Sequence, residues 1–337
     1  DITPMHKYDI KGADGIKFVD KLVTRNVTEI KSGQVMYIIW CNEDGNVIDD
    51  GTVFCFNSNH LRIFCAERNL NWFSDTAIGF NVEVEDVSDT IAALAFQGPL
   101  SCKILNLLNV KDIENLKPFY FDNFDLNGCK VTISRTGFSG DLGYEIWCKN
   151  EDAINVWDSL FTFNRDYKVL PAGMNALEMV RVEAGFIQPN ADFMSAEQAL
   201  RPNRMRNPFE LGMGWLVDLN KNYFTGKKNL VNLKKKTLTK KLVGLDIQGD
   251  KPAIGSVLYD KNKKEIGIVT AGMWSPSLKS NIAFGYVDKD HMKIGSKVFA
   301  EIYHPEELEY KKIWAECSVV KKQFFNPPRR HKVPAEI

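Results

Sequence analysis

Residues Pro171–Asp192, PAGMNALEMVRVEAGFIQPNAD, decide how the rest of the chain is read. Gly173, Ala176, Leu177, Val180 and Ala184 recur at helical spacing and predict an α-helix with an apolar stripe. Gly185 stands where a helix C-cap belongs, and Pro189 soon follows. Glu183 breaks the pattern. A turn of about 100° per residue sets it beside Ala176, on the edge of the stripe. It also falls in the last helical turn, where the macrodipole disfavours a carboxylate. Two local rules broken at one residue mark a candidate for function. The alternative is a half-exposed Glu paired with a nearby Arg.

Upstream of this helix, strands and helices alternate. MHKYDIK (5–11) reads as a strand, and Gly12–Ala13–Asp14 opens a helix through about Leu22. VMYIIWC (35–41) and VIDDGTVFCF (47–56) flank a turn containing Asp44–Gly45 and predict a hairpin. Strands are expected at 60–66, 80–87, 91–97, 119–126, 129–135 and 144–148, and helices near 70–79, 101–108 and 151–161, with Ser101 as a cap. This order points to an α+β fold rather than a doubly wound parallel sheet. Downstream, 186–211 is loop-like, and the basic run LKKKTLTKK (233–241) marks a boundary. Short strands about every ten residues then predict a C-terminal β-barrel. The expected domains are 1–232 and 240–337.

The 337 residues carry 43 Lys plus Arg against 43 Asp plus Glu, a balance that argues against nucleic acid or an anionic membrane as main partner. No apolar run reaches the length of a membrane span, and no signal peptide opens the chain. Seven cysteines without a CxxC pair are expected to be reduced and buried in a cytoplasmic protein. Five scattered histidines give no metal-ligand spacing. The chain begins at Asp1, which leads us to expect a native N-terminal piece before it.

Six segments in order carry a resemblance: GNVIDDGTVF (45–54), AFQGP (95–99), RTGFSGDLGYEI (135–146), RVEAG (181–185), NPFELGMGWLVDLNKNYFTGKKNL (207–230) and IVTAGMWSPSLKSNIAFGYV (268–287). Together they resemble the glycine-cleavage T-protein (aminomethyltransferase) family, which transfers one-carbon units to tetrahydrofolate. The resemblance implies a cloverleaf: two α+β folate-binding subdomains and a C-terminal β-barrel around a central channel. It implies a lipoyl carrier protein or a small-molecule one-carbon donor as partner.

A reduced pterin offers an exocyclic amino group and a ring N–H side by side, and one carboxylate accepts both. Glu183 matches the family's Glu in that role. Asp49 and Asp50 alternate to opposite faces of their strand, so one of them can look into a cleft. The family's second acidic position makes that residue Asp50, beside N5 of the folate, where it orients the amine and takes up a proton. The alternative for Asp50 is a hairpin residue bonded to the Gly51 or Thr52 backbone. Tyr144 is a further candidate cofactor contact, Trp215 and Trp274 are candidates to line the channel, and Lys221 or Lys227 to pair with the folate's glutamate tail. Gln97 reads as a turn residue, and the glycines 137, 140 and 143 as a hairpin turn without a P-loop.

After RVEAG the chain departs from the family. It reads FIQPNAD, with Pro189 at or near the place of a Tyr, and the loop 190–207 is longer than usual. The departure faces the one-carbon donor, and it is similar to relatives that demethylate methoxyaromatics or dimethylsulfoniopropionate onto tetrahydrofolate. Trp147, Phe186 and Met194 are candidates to accept an apolar donor. A non-catalytic folate-binding relative of iron–sulfur assembly is a further reading, opposed by the absence of its KGCYxGQE-like motif.

Overall fold

The alternating runs of the N-terminal part pair as one antiparallel sheet. A computed structural model of the chain describes residues 1–334, so 335–337 of the expected barrel domain lie outside the described residues. The elements are β1 (His6–Lys11), α1 (Gly15–Leu22), β2 (Val35–Cys41), β3 (Val47–Asn57), β4 (His60–Cys65), α2 (Leu70–Ala77) and β5 (Glu83–Asp86), in sheet order β2-β3-β4-β1-β5. One face carries Ile38, Trp40, Val53 and Ile63 against α1 and α2.

A second sheet follows, in the order β6-β9-β8-β7. Its chain order is β6 (Ile91–Gln97), α3 (Ser101–Leu107), β7 (Phe121–Leu126), β8 (Cys129–Ser134) and β9 (Gly143–Lys149), then α4 (Ala153–Leu160), α5 (Asn164–Tyr167) and α6 (Met174–Ala184). Val35, Phe54, Phe64, Ala93, Phe121 and Trp147 form an apolar seam between the two sheets. Trp147 lies 4.1 Å from Phe64 and 5.9 Å from Phe54 between ring centres, so it packs as part of this seam.

After α7 (Lys227–Lys235) the chain closes a barrel from β10 (Lys240–Ile247), β11 (Val257–Tyr259), β12 (Glu265–Ser275), β13 (Ser280–Asp288), β14 (Lys297–Glu306) and β15 (Glu309–Val320). The strand order is β10-β13-β12-β11-β14-β15, and β10 pairs with β15 to remove the edges. Every strand pairing is antiparallel, as expected for α+β.

Two local expectations need correction. Ser101 is not a cap: Leu100 holds that position, and the buried Ser101 hydroxyl has no partner. The apolar stripe of α6 is also only half used. Met174 and Ala176 are exposed, Leu177 and Val180 half-buried, and burial begins at Arg181. The first turns of α6 find no element to cover them, and periodicity alone cannot supply one. The end of the helix is as expected. Gly185 takes the left-handed conformation at φ 86°, and its N–H reaches the Arg181 and Val182 carbonyls. A Cβ at Gly185 would meet the Gln323 Cα at 2.9 Å, so glycine also admits the chain leaving the barrel.

Candidate functional site

The hairpin β2–β3 sets Asp50 by register. A bulge at Trp40/Cys41 shifts the ladder so that Ile39, not Ile38, stands opposite Asp50. Asp49 therefore turns toward α2. It accepts hydrogen bonds from the Asp50 N–H, the Glu67 N–H and Asn69 Nδ2 and is fully buried. Asp50 takes the opposite face and stays partly accessible. Tyr37 lies on the same face, and its hydroxyl donates to Asp50 Oδ2 at 2.6 Å. Apart from its own backbone N–H, Tyr37 is the donor that the described residues bring to the Asp50 carboxyl. Burial pushes the Asp50 pKa up to about 6, against the pull of the Tyr37 hydrogen bond. Asp192 pushes the same way as burial, and Lys322 opposes it. The alternative reading, a hairpin side chain spent on the Gly51 or Thr52 backbone, does not describe it.

Glu183 ends α6 and is 2% exposed. Ser275 Oγ donates to Oε1 at 2.5 Å and Ser277 Oγ to Oε2 at 3.1 Å, both from the barrel. No Arg pairs with it, because Arg181 turns to Glu178 and Asp192 instead. Each Glu183 oxygen thus holds one hydroxyl donor and keeps a second acceptor site. Those open acceptor sites fit the paired N–H donors of a reduced pterin, and the partly accessible Asp50 fits an amine nitrogen.

The departing run 186–192 is a built turn. Asp192 accepts from Arg181 Nη1 at 2.6 Å, from the Gln188 N–H at 3.0 Å and from Thr270 Oγ1 at 2.6 Å. The buried Arg181–Asp192 pair locks the helix end to this loop and to β12. Asn190 takes a left-handed φ of 62° after Pro189.

Three expected contacts are corrected by their surroundings. Tyr144 is fully buried among the apolar residues of the second sheet, with its hydroxyl facing the Ile113 carbonyl, so it has no surface for a cofactor. Lys221 is 7% exposed; it pairs with Asp20 at 2.9 Å and donates to the carbonyls of Asp20, Val23 and Arg25. It closes the end of α1 and has no donor left for a folate tail. Lys227 donates to the Lys221 carbonyl. Trp215 is 66% exposed and packs 6.1 Å from the Tyr37 ring, beside Asp50's partner. Trp274 and Met194 are exposed, and Phe186 stacks on Phe138. Gln97 is structural: it fills the space between Gly137 and Gly143 and ties down the loop through Thr136, Ser139 and Tyr144.

Sequence reading missed Tyr37, Asp192, Ser275, Ser277 and Lys322. Tyr37 was out of reach because the bulge inverts the face that counting back from the turn would give. The SPS triplet at 275–277 was visible but had no partner until the barrel docked on α6. A cleft of about 920 Å³ is lined by Asp9, Lys11, Arg62, Glu85, Lys130 and Lys149 among others, and contains neither Asp50 nor Glu183.

Comparison with known proteins agrees with this architecture. Residues 1–221 match the GCVT N-terminal domain model, and residues 240–325 match the glycine cleavage T-protein C-terminal barrel domain. The aminomethyltransferase of Halothermothrix orenii is 35% identical over 303 residues, 88% of this chain and 82% of the relative. That of Thermotoga maritima is 32% identical over 337 residues, 99% of this chain and 87% of the relative. The crystal structure of glycine cleavage system aminomethyltransferase T from Bartonella henselae superposes with a TM-score of 0.84 at 24% identity, covering 99% of this chain and 86% of that one, a likeness of fold. The chain belongs to the glycine cleavage T-protein family of aminomethyltransferases, which are tetrahydrofolate-dependent one-carbon transferases.

Proposed function

We propose that this transferase binds tetrahydrofolate between Asp50 and Glu183 and moves to its N5 either a methyl group or the methylene of an aminomethyl donor, whose nitrogen leaves as ammonia. The observation that carries the reading is Asp50: a partly accessible carboxyl held by Tyr37, with its pKa pushed up to about 6. When bound, tetrahydrofolate supplies a nucleophilic ring amine. Asp50 is mostly ionised at neutral pH and accepts a proton at Oδ1, while Tyr37 fixes the carboxyl through Oδ2. Glu183 receives the ring donors on acceptor sites that Ser275 and Ser277 leave open, so its burial is compensated.

A lipoyl carrier protein is the donor that the relatives' name supports, since an aminomethyl group must arrive on a carrier. A small methylated donor is the second reading, favoured by the turn at Pro189–Asp192 and the long loop after it. We keep the division into 1–232 and 240–337; α7 ends at Lys235 and β10 begins at Lys240, which supports a boundary there. Seven free, buried cysteines support a reducing, cytoplasmic setting. Among the described residues no helix is long and apolar enough to cross a membrane.

The test is a titration with tetrahydrofolate followed by tryptophan fluorescence, with Trp215→Phe as control because Trp215 lies against Tyr37. No binding by fluorescence or calorimetry rejects the reading. Donor screening for 5,10-methylenetetrahydrofolate against 5-methyltetrahydrofolate then separates aminomethyl from methyl transfer.

A further inference from the structure

The segment that leaves β15 crosses back from the barrel to the first sheet and to α6. Phe324 and Phe325 donate their N–H groups to the Glu183 carbonyl at 2.9 and 2.8 Å. Two residues before Phe324, Lys322 is half-buried and donates to the Leu211 carbonyl at 2.7 Å. Leu211 shares an apolar cluster with Ile39, the cross-strand partner of Asp50, and Tyr37 and Phe324 pack against that cluster. One short stretch therefore touches the turn that carries Glu183 and stands beside the strand pair that carries Asp50. Gly244 and Gly185 both admit this stretch closely: a Cβ would lie 2.6 Å from the Lys321 carbonyl oxygen and 2.9 Å from the Gln323 Cα.

We propose that Lys321–Phe325 is a positioning arm of the site, in which Lys322 places a cation beside the strand pair that carries Asp50 while Phe324 and Phe325 hold the turn carrying Glu183. Lys322's hydrogen bond goes to a carbonyl, so its charge is compensated at longer range by Asp192 and Asp50. Burial lowers its pKa to about 8, which leaves it mostly protonated at neutral pH. The other titratable groups facing Asp50 are Tyr37 from β2 and Asp192 from the loop after α6, Asp49 lies on the far face of the same strand, and Lys241 from β10 faces Lys322. Asp192 is itself paired with Arg181. Lys322 is thus the cation that favours the ionised form of Asp50, and it acts through Asp50 without touching the reacting atoms.

The functional weight of this arm rests on Asp50 being the acid–base group; the coupling itself does not. The test is a ¹³C NMR titration of the Asp50 carboxyl, assigned with Asp50→Asn, in the unmodified protein, Lys322→Met and Lys322→Arg. The expected result is a midpoint raised by roughly half a pH unit in Lys322→Met and returned to the unmodified value in Lys322→Arg. If Lys322→Met does not fold, Lys322→Gln takes its place. An unmoved midpoint in the neutral variant overturns the proposal. The titration needs no donor or turnover, so loss of the transferase reading leaves it interpretable. Where turnover is measurable, the same shift should appear as a loss of roughly twofold at pH 6 in the acidic limb of the rate profile.

Discussion

In the cleft between the two sheets, Asp9 is met by Arg62 at 2.5 Å, His60 at 3.1 Å and Lys11 at 3.2 Å. Burial raises its pKa, but Arg62 and His60 outweigh that and hold it down at about 2. At Asp50, by contrast, the nearest partner is a neutral phenol, the compensating cation is distant, and burial wins. The cleft has volume and many charges, yet Lys11, Arg62, Lys130 and Lys149 each have a local carboxylate. A paired charge is spent on holding the fold. A carboxyl left incompletely paired and still reachable by solvent is free to exchange a proton at neutral pH.

The strongest way to break this contrast is Asp50→Asn, which should lower kcat by about 10²–10⁴-fold while leaving tetrahydrofolate binding nearly unchanged. Full turnover in that variant would remove Asp50 from the chemistry. Asp9→Asn should do the reverse, costing about 3 kcal/mol of folding stability by urea unfolding with kcat unchanged; a fall in kcat would bring the cleft into the site. The sign of its pH dependence follows from the same pair. The folded pKa of about 2 lies below the ordinary Asp value of 3.8, so the stabilisation is present above that value. It is lost as pH falls through about 2, and unfolding of Asp9→Asn should lack this acid step.

Glu183→Gln should weaken tetrahydrofolate binding by about ten- to a hundredfold, the scale of a charge-assisted hydrogen bond, in a fluorescence titration. An unchanged dissociation constant would leave Glu183 as a barrel clamp for Ser275 and Ser277 only. The smallest effect is expected from Tyr37→Phe. Its hydroxyl lowers the Asp50 pKa, so its loss should move the acidic limb of the rate profile to higher pH, with a fall of a few-fold near pH 6. A limb that stays in place would mean that Tyr37 only packs against Trp215.

Much of the architecture was legible because it is local. The hairpin at 35–56, the helix end at Gly185 and the short barrel strands each follow from period, turn residues and caps. The acidic pair was legible through the motifs around Asp50 and Glu183. What failed was contact. Tyr144 and Lys221 looked available because sequence does not show that one is packed under the second sheet and the other is consumed by the carbonyls ending α1. The exposed first half of α6 failed for the opposite reason, since an apolar stripe needs a neighbour to cover it.

The sequence by itself determined the α+β order, the barrel and the family, because these rest on period, capping and motif within short stretches. The tertiary structure decided which groups stand beside the Asp50 and Glu183 carboxyls. The Trp40/Cys41 bulge brings Tyr37 to Asp50, and the barrel brings Ser275 and Ser277 to Glu183. The segment after β15 brings Lys322 near the first sheet and Phe324 to the end of α6. Ionisation depends on distance and burial in space, and residues separated by more than a hundred positions acquire both only when the domains close on one another.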